Sequence, residues 1–174
     1  DWAGVFGRDA HRTLEIGFGA GEVLADLAIN EAARDFITAQ FEKFIAKEGL
    51  SDRITYQPGN ALTDPWPDAA DAVLMSYLFS GVPGKEIPAL VRKAMDTLTP
   101  GGRFMVHDFM VDENREGPKL AALWQLQHTA FNPEARSITS DYVSELMTAA
   151  GFVDIEVKVM IPGMTMLVHG RKPE

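Results

Sequence analysis

The 174-residue sequence contains no cysteine, which excludes disulfides, thiolate metal sites and a cysteine nucleophile. Basic residues are also scarce: 16 Lys and Arg stand against 25 Asp and Glu, a formal net charge of −9. Such a chain has little diffuse attraction to a phosphate backbone or an anionic membrane surface, so neither nucleic acid nor membrane is expected as a partner. No apolar run reaches the roughly eighteen residues of a membrane span, and Asp1-Trp2-Ala3-Gly4 lacks the basic and apolar regions of a secretory leader. A reducing compartment, the cytoplasm, is the expectation. Repeats and low-complexity tracts are missing too, and with 46% hydrophobic residues the chain can bury one core.

What is present reads as alternating strands and helices. The run Arg12-Thr-Leu-Glu-Ile-Gly17 predicts a strand, followed by a glycine loop and a helix over residues 21–28. Phe36, Ile37, Gln40, Phe41, Phe44 and Ile45 predict a second amphipathic helix stopped by Gly49, and residues 54–57 a strand closed by Pro58-Gly59. The continuous apolar run over 71–76 suits a central parallel strand buried on both faces. A helix over 84–98 presents Leu90, Val91, Ala94, Met95 and Leu98 on one face and ends at Thr99-Pro-Gly-Gly102, before a strand over 103–109. Gly117-Pro118 opens a helix lined on one side by Leu120, Leu123, Trp124 and Gln127, and Ser140-Asp141 caps another that ends at Gly151. Strands over 154–160 and 165–170, joined by Pro162-Gly163, close the chain as an antiparallel pair. The sum is an α/β fold: a mostly parallel sheet covered on both faces, with an antiparallel last strand and a ligand site beyond the carboxyl ends of the central strands.

Two irregularities stand out. The chain starts at Asp1 without an initiator methionine and enters its first motif within fifteen residues, so it is expected to be a fragment. Between residues 28 and 54 the alternation lacks a strand, as if a loop and strand had been lost near Asn30-Glu31; a Cα separation there well above ~3.8 Å would show skipped residues.

Glu15-Ile-Gly17-Phe-Gly19-Ala-Gly21 places glycines at alternate positions between strand and helix, where the backbone can approach a ligand closely. No Gly-Lys-Ser/Thr follows, and the spacing is not G-x-G-x-x-G, which argues against a phosphate cradle. Packing alone can also demand glycine in such a turn. Together with Gly59-Asn60-Ala61, the strand to Ser76-Tyr77 and Leu98-Thr-Pro-Gly-Gly102, however, the motif resembles class I S-adenosylmethionine-dependent methyltransferases, in order and spacing from Thr13 to Lys172. Within them the chain is similar to the catalytic domain of small-molecule O-methyltransferases of the hydroxyindole and plant phenolic type.

That resemblance implies a Rossmann-like, doubly wound sheet forming one S-adenosylmethionine-binding domain over residues 1–174. It also implies an N-terminal winged-helix dimerisation domain, missing from these residues, through which the protein is expected to form a homodimer. It implies that Gly17, Phe18, Gly19 and Gly21 surround the methionyl part of the cofactor, with Glu15 ordering its amino group, that Asn60 and Ala61 sit at the adenine, and that Ser76, Tyr77 and Ser80 lie beside them. The family usually has Asp at the place of Asn60, whose amide can still accept a hydrogen bond. Its ribose-binding acid ends the strand not found here, so none is assigned. No metal is expected, since Pro65-Trp66-Pro67 interrupts the aspartates 64, 68 and 71.

The departure lies at the catalytic position. Ser80-Gly81 stands where the family carries its general-base histidine and an aspartate, and Ala135-Arg136 where a supporting glutamate precedes arginine. Methyl transfer to a phenol needs a proton removed. Three readings follow. His107 or His128 serves as base for a hydroxylated acceptor, although a lone histidine is more often structural. Alternatively, the acceptor is a thioether, which has no proton to lose, as a looser resemblance of the His107-Asp-Phe-Met and Trp124-Gln-Leu-Gln-His128 regions to 4-methylthio-2-hydroxybutyrate S-methyltransferases suggests. This is preferred because the base is missing. In the third, the protein binds cofactor without catalysis. Tyr77, Trp124, His128 and Phe131 would wall the acceptor pocket and Arg115 or Arg136 clamp a carboxylate, though core packing and solvated surface charge are their ordinary roles.

Overall fold

A computed structural model describes residues 13–17, 43, 45–49, 51, 54, 57 and 59–174. The chain divides into two compact units, Asp1–Gly17 with Pro65–Glu174, and Phe18–Asp64. In the smaller unit residues 43 and 45–47 are helical, and Gly49 closes the segment at φ +69, its N–H donating to the Ala46 carbonyl at 3.1 Å. The helix expected over 21–28, most of the second helix and the Asn30-Glu31 junction lie outside the described residues. So do Thr55 and Tyr56 of the strand expected over 54–57; Ile54 and Gln57 are not in a strand.

The larger unit holds five strands in the order β1-β2-β3-β5-β4, with β1 Thr13–Gly17, β2 Ala70–Ser76, β3 Leu98–Phe109, β4 Val153–Ile161 and β5 Thr165–Arg171. β1, β2 and β3 run parallel, while β5 is antiparallel to both β3 and β4. Helices α1 Ile87–Thr97, α2 Lys119–Phe131 and α3 Ser140–Ala150 complete it. Ala72, Val73 and Met75 on β2 are fully buried, as the unbroken apolar run requires of a strand covered on both faces. None of the described helices is long and apolar enough to cross a membrane.

Three local readings differ. β3 begins at Leu98, not Arg103: the helix stops where Thr-Pro-Gly-Gly says it must, but Leu98 is already extended and pairs with Ala70 before the register shifts to Ala72–Arg103. Gly102 is needed there, since a Cβ would meet the Thr99 carbonyl at 2.8 Å. The cap of α3 is Thr139, whose hydroxyl accepts from the Tyr142 N–H at 3.1 Å, one residue before the expected Ser140-Asp141.

The third difference is the face of α2. Leu120 and Leu123 are 52% and 51% exposed and Gln127 also faces outward, whereas Ala121, Gln125 and His128 are buried. Gln125 wins burial through its amide: Nε2 donates to the carbonyls of Phe109 (2.7 Å) and Ile138 (2.9 Å), and Oε1 accepts from the Ile138 N–H at 3.0 Å. Three backbone groups that would otherwise be orphaned are satisfied by one side chain, and that outweighs the apolar stripe.

Candidate active site

β1 and β2 end side by side, and β3 runs on from there to Phe109. Gly17 pairs with Ser76 and Ser76 with His107, so these expected site residues form one row at the carboxyl edge. Glu15 lies two residues back, opposite Leu74. Tyr77 then leaves the sheet at φ +54, a left-handed conformation that a side chain disfavours, with its N–H donating to the His107 carbonyl at 2.8 Å. From there an aromatic wall runs outward. The Tyr77 ring lies 4.8 Å from His107 and 5.4 Å from Phe109, Phe109 stacks on Trp124 at 4.4 Å, and Trp124 meets His128 at 5.1 Å. Burial, then the charge of Asp108, push the Tyr77 hydroxyl upward, so it stays neutral.

The two candidate bases differ in their surroundings. His107 has hydroxyls at both ring nitrogens, Ser76 Oγ at 3.4 Å from Nδ1 and Thr165 Oγ1 at 3.0 Å from Nε2, and burial pulls its pKa down. It is a neutral bridge between β2 and β5. His128 sits on α2 with Nδ1 3.0 Å from the Trp124 carbonyl. A carbonyl can only accept, so Nδ1 carries the proton.

Ser80 is buried at 1% exposure and is not alone. Its N–H donates to Asp108 Oδ2 at 3.1 Å, its hydroxyl hydrogen-bonds the same carboxylate, and Trp124 Nε1 donates to Ser80 Oγ at 3.4 Å. Asp108 is fully buried, and its Oδ1 accepts from the Phe109 N–H at 2.8 Å. Burial pushes its pKa up to about 6, against the opposing pull of these hydrogen bonds and of His128. The carboxylate is therefore mostly ionised at pH 7 and held where a proton from Ser80 can reach it. Sequence reasoning passed over Asp108. The available signal was a lone acid inside an apolar run, Phe104-Met-Val-His-Asp-Phe109, on a strand expected to be buried.

The remaining expected residues are placed as follows. Asn60 and Ala61 belong to the smaller unit, where Asn60 Oδ1 accepts from the Leu62 N–H at 2.8 Å and Asp64 Oδ2 accepts from the Asn60 N–H at 2.8 Å, making a local turn. Phe18, Gly19, Gly21 and the side chains of Glu15 and Phe131 lie outside the described residues. Arg115 is exposed at φ +61, with its N–H donating to the Asp112 carbonyl, and the exposed Arg136 lays its guanidinium on the Tyr142 ring at 3.8 Å. Ala135 meets Pro83 in a backbone bridge, which brings its loop against the one after Ser80. Among the described residues no three His, Asp or Glu side chains converge as a metal ligand set.

Comparison with known proteins adds an independent line. Residues 34–153 match the O-methyltransferase domain family. The chain is 36% identical over 126 residues to the L-tyrosine C(3)-methyltransferase of Streptomyces lavendulae, covering 71% of this chain and 34% of that protein. It is 28% identical over 133 residues to the tetracenomycin polyketide synthesis 8-O-methyl transferase TcmO of Streptomyces glaucescens, covering 76% and 39%. The chain thus spans between a third and two-fifths of the length of these relatives. Human N-acetylserotonin methyltransferase in complex with SAM superposes with a TM-score of 0.68 at 22% identity, over 95% of this chain and 48% of that one, and so shares its fold.

Proposed function

We propose a function from one premise: the chain belongs to the O-methyltransferase domain family. On that premise it transfers a methyl group from S-adenosylmethionine to a small-molecule acceptor. Bound S-adenosylmethionine supplies an electrophilic methyl group. The described residues suit such a group: the Gly17 backbone, the Ser76 hydroxyl and the Tyr77 ring offer neutral polar atoms and an aromatic face to an amino acid and a sulfonium. Gly17, Ser76 and Tyr77 would hold its methionyl end; Asn60 and Ala61 are assigned to the adenine on the resemblance alone. A cytoplasmic homodimer, completed by a segment ahead of residue 1, belongs to the same reading.

The observation that carries the acceptor class is Asp108 beneath Ser80. The position at which the family keeps its base holds a serine, but the carboxylate restores a proton acceptor one hydroxyl away. As the acceptor oxygen attacks in line, its proton passes to Ser80 Oγ while the serine proton passes to Asp108. The acceptor must displace the long Trp124 N–H contact to reach Ser80 Oγ, and Tyr77, Phe109 and Trp124 supply flat apolar walls for a ring-bearing substrate. His107 is left to orient Ser76 and Thr165, with His128 setting the field around Asp108. This reading moves the preferred acceptor from a thioether to a hydroxyl. The names of the two relatives specify carbon and oxygen, and neither specifies sulfur.

The thioether reading keeps one point in its favour, since an ionised Asp108 would also balance a sulfonium product. Turnover of phenolic and thioether acceptors by the wild type and by Asp108→Asn separates the two. Under the hydroxyl reading phenols turn over and the variant loses that activity. Thioether turnover unaffected by the variant, with phenols inert, would overturn it. Binding of S-adenosylmethionine in a calorimeter without turnover of either would leave a cofactor-binding protein without catalysis.

A further inference from the structure

β4 ends the described sheet. β5 pairs with one edge of it, and no described residue pairs with the other. This edge is apolar for so exposed a strand: Val157, Val159 and Met160 are 46%, 61% and 52% exposed. Unpaired strand edges with exposed β-branched residues are templates for another strand. Each end of β4 is blunted by a bulge, the first near Asp154 at φ +52 and the second between Val159 and Ile161. Between them Glu156–Val159 keeps unbroken register with β5, and a partner strand would lie along this stretch and Ile155, which sits at the end of the first bulge.

The partner is indicated by the order of side chains. Val157 and Val159 stand opposite Val168 and Met166 on one face of the sheet, and Glu156 and Lys158 opposite His169 and Leu167 on the other. About Val157 the strand is self-complementary. Ile155 and Val159 lie two residues either side, and the acid Glu156 and base Lys158 one residue either side. In an antiparallel pair related by a two-fold axis at Val157, residues whose numbers are symmetric about it face each other. Apolar then meets apolar, and acid meets base twice. Within one chain Glu156 already lies 3.5 Å from both Lys158 Nζ and His169 Nε2, and its side chain and that of Lys158 are more than half exposed, free to exchange an in-strand contact for one across the pair.

We propose that β4 pairs antiparallel with β4 of a second copy of this chain, Val157 opposite itself, Ile155 opposite Val159 and Glu156 opposite Lys158, which joins two five-stranded sheets into one. This surface is separate from a dimer built through a preceding domain. It is set by the strand and not by the methyltransferase reading, so it stands or falls without it.

Light scattering on the eluting 174-residue chain, across a concentration series, reads the oligomeric state. The expected result is a concentration-dependent dimer. Lys158→Glu, which sets acid against acid at both sites, shifts it to monomer, and adding Glu156→Lys to it restores the dimer, a rescue that mere loss of folding would not show. Since the sequence has no cysteine, Val157→Cys introduces a single thiol that faces its twin at about 4.5–5.5 Å between Cα atoms, within disulfide range. Val159→Cys would set its two thiols about 13 Å apart along the strands. Mild oxidation should link the first and not the second. A wild type that stays monomeric at every concentration would overturn the proposal, as would a dimer indifferent to Lys158→Glu, or linkage through position 159 in preference to 157. Any of these would leave the edge to a strand of a different protein or to another segment of a longer chain.

Discussion

Asp108 puts a titratable carboxylate where water does not reach, and this ties two measurable quantities to one side chain. Its folded pKa, about 6, lies above the ordinary 3.8, so between those values the folded chain binds more protons than the unfolded one. The contribution of this group to stability is thus fully present below about pH 4 and is lost as pH rises through 6, a change of about 3 kcal/mol. His107 and His169 act in the other direction: burial holds both below 6.5, so their contribution is lost as pH falls through their folded values. The wild-type curve therefore mixes opposed trends, and the difference between wild type and Asp108→Asn isolates the carboxylate. Chemical denaturation should show the wild type gaining roughly 3 kcal/mol on the variant between pH 7 and about pH 3; a difference that does not change with pH would mean that Asp108 does not titrate in this range. In turnover of a hydroxylated acceptor, kcat/KM should rise with pH to a plateau above about 6. Asp108→Asn should remove that rise and lower the rate by about 10²–10⁴-fold, the range of a lost general base. Of the residues singled out from sequence, Gly17, Ser76, Tyr77 and His107 fall at one edge because strand ends are legible from apolar runs. The partners of Ser80 were not legible, because the hydrogen bond to Asp108 spans 28 positions and no local pattern encodes it.

At the scale of the element, α2 shows how periodicity misleads. The stripe Leu120, Leu123, Trp124 and Gln127 lines one side, yet only Trp124 of the four is half-buried, because the helix is rotated so that Gln125 can satisfy the backbone of β3 and of the segment before α3. Replacing Gln125 with Leu should keep the volume but strand three buried backbone groups, at a cost of about 3 kcal/mol or more in denaturant unfolding. A loss under 1 kcal/mol would mean that water reaches those groups. The end of α1 has a comparable device. Lys172 Nζ donates to the carbonyls of Met95 at 2.8 Å and Leu98 at 2.7 Å, so a residue outside the helix caps its last turn. Lys172→Met should lower stability by about 1–2 kcal/mol, read as a shift of the midpoint at constant slope. Nothing in the local sequence of α1 announces that cap, whereas Gly151, at φ +96 after α3, was readable because one backbone conformation selects one residue type.

For the whole molecule, an alternation of apolar runs with glycine-closed amphipathic segments was sufficient to give a mostly parallel sheet with an antiparallel end, because each pattern maps onto a burial geometry. Strand order is a different matter: it follows from packing across the sheet. If the larger unit carries its ligand site at the row Gly17, Ser76 and His107, S-adenosylhomocysteine should stabilise the chain against heat. At a hundred times its Kd the gain would be about 2.7 kcal/mol, and no shift at any concentration would count against the binding assignment. The sheet order has a further consequence, in time and not in energy. β5 follows the other four described strands in the chain, yet it lies between β3 and β4 and pairs with both. A chain still emerging from the ribosome can form β1, β2 and β3 side by side, but β4 has no place to dock until residue 171 is free. The sheet closes from its middle, and a chain stopped between Ile161 and Thr165 would leave open both the edge of β3 and the edge of β4 that β5 joins.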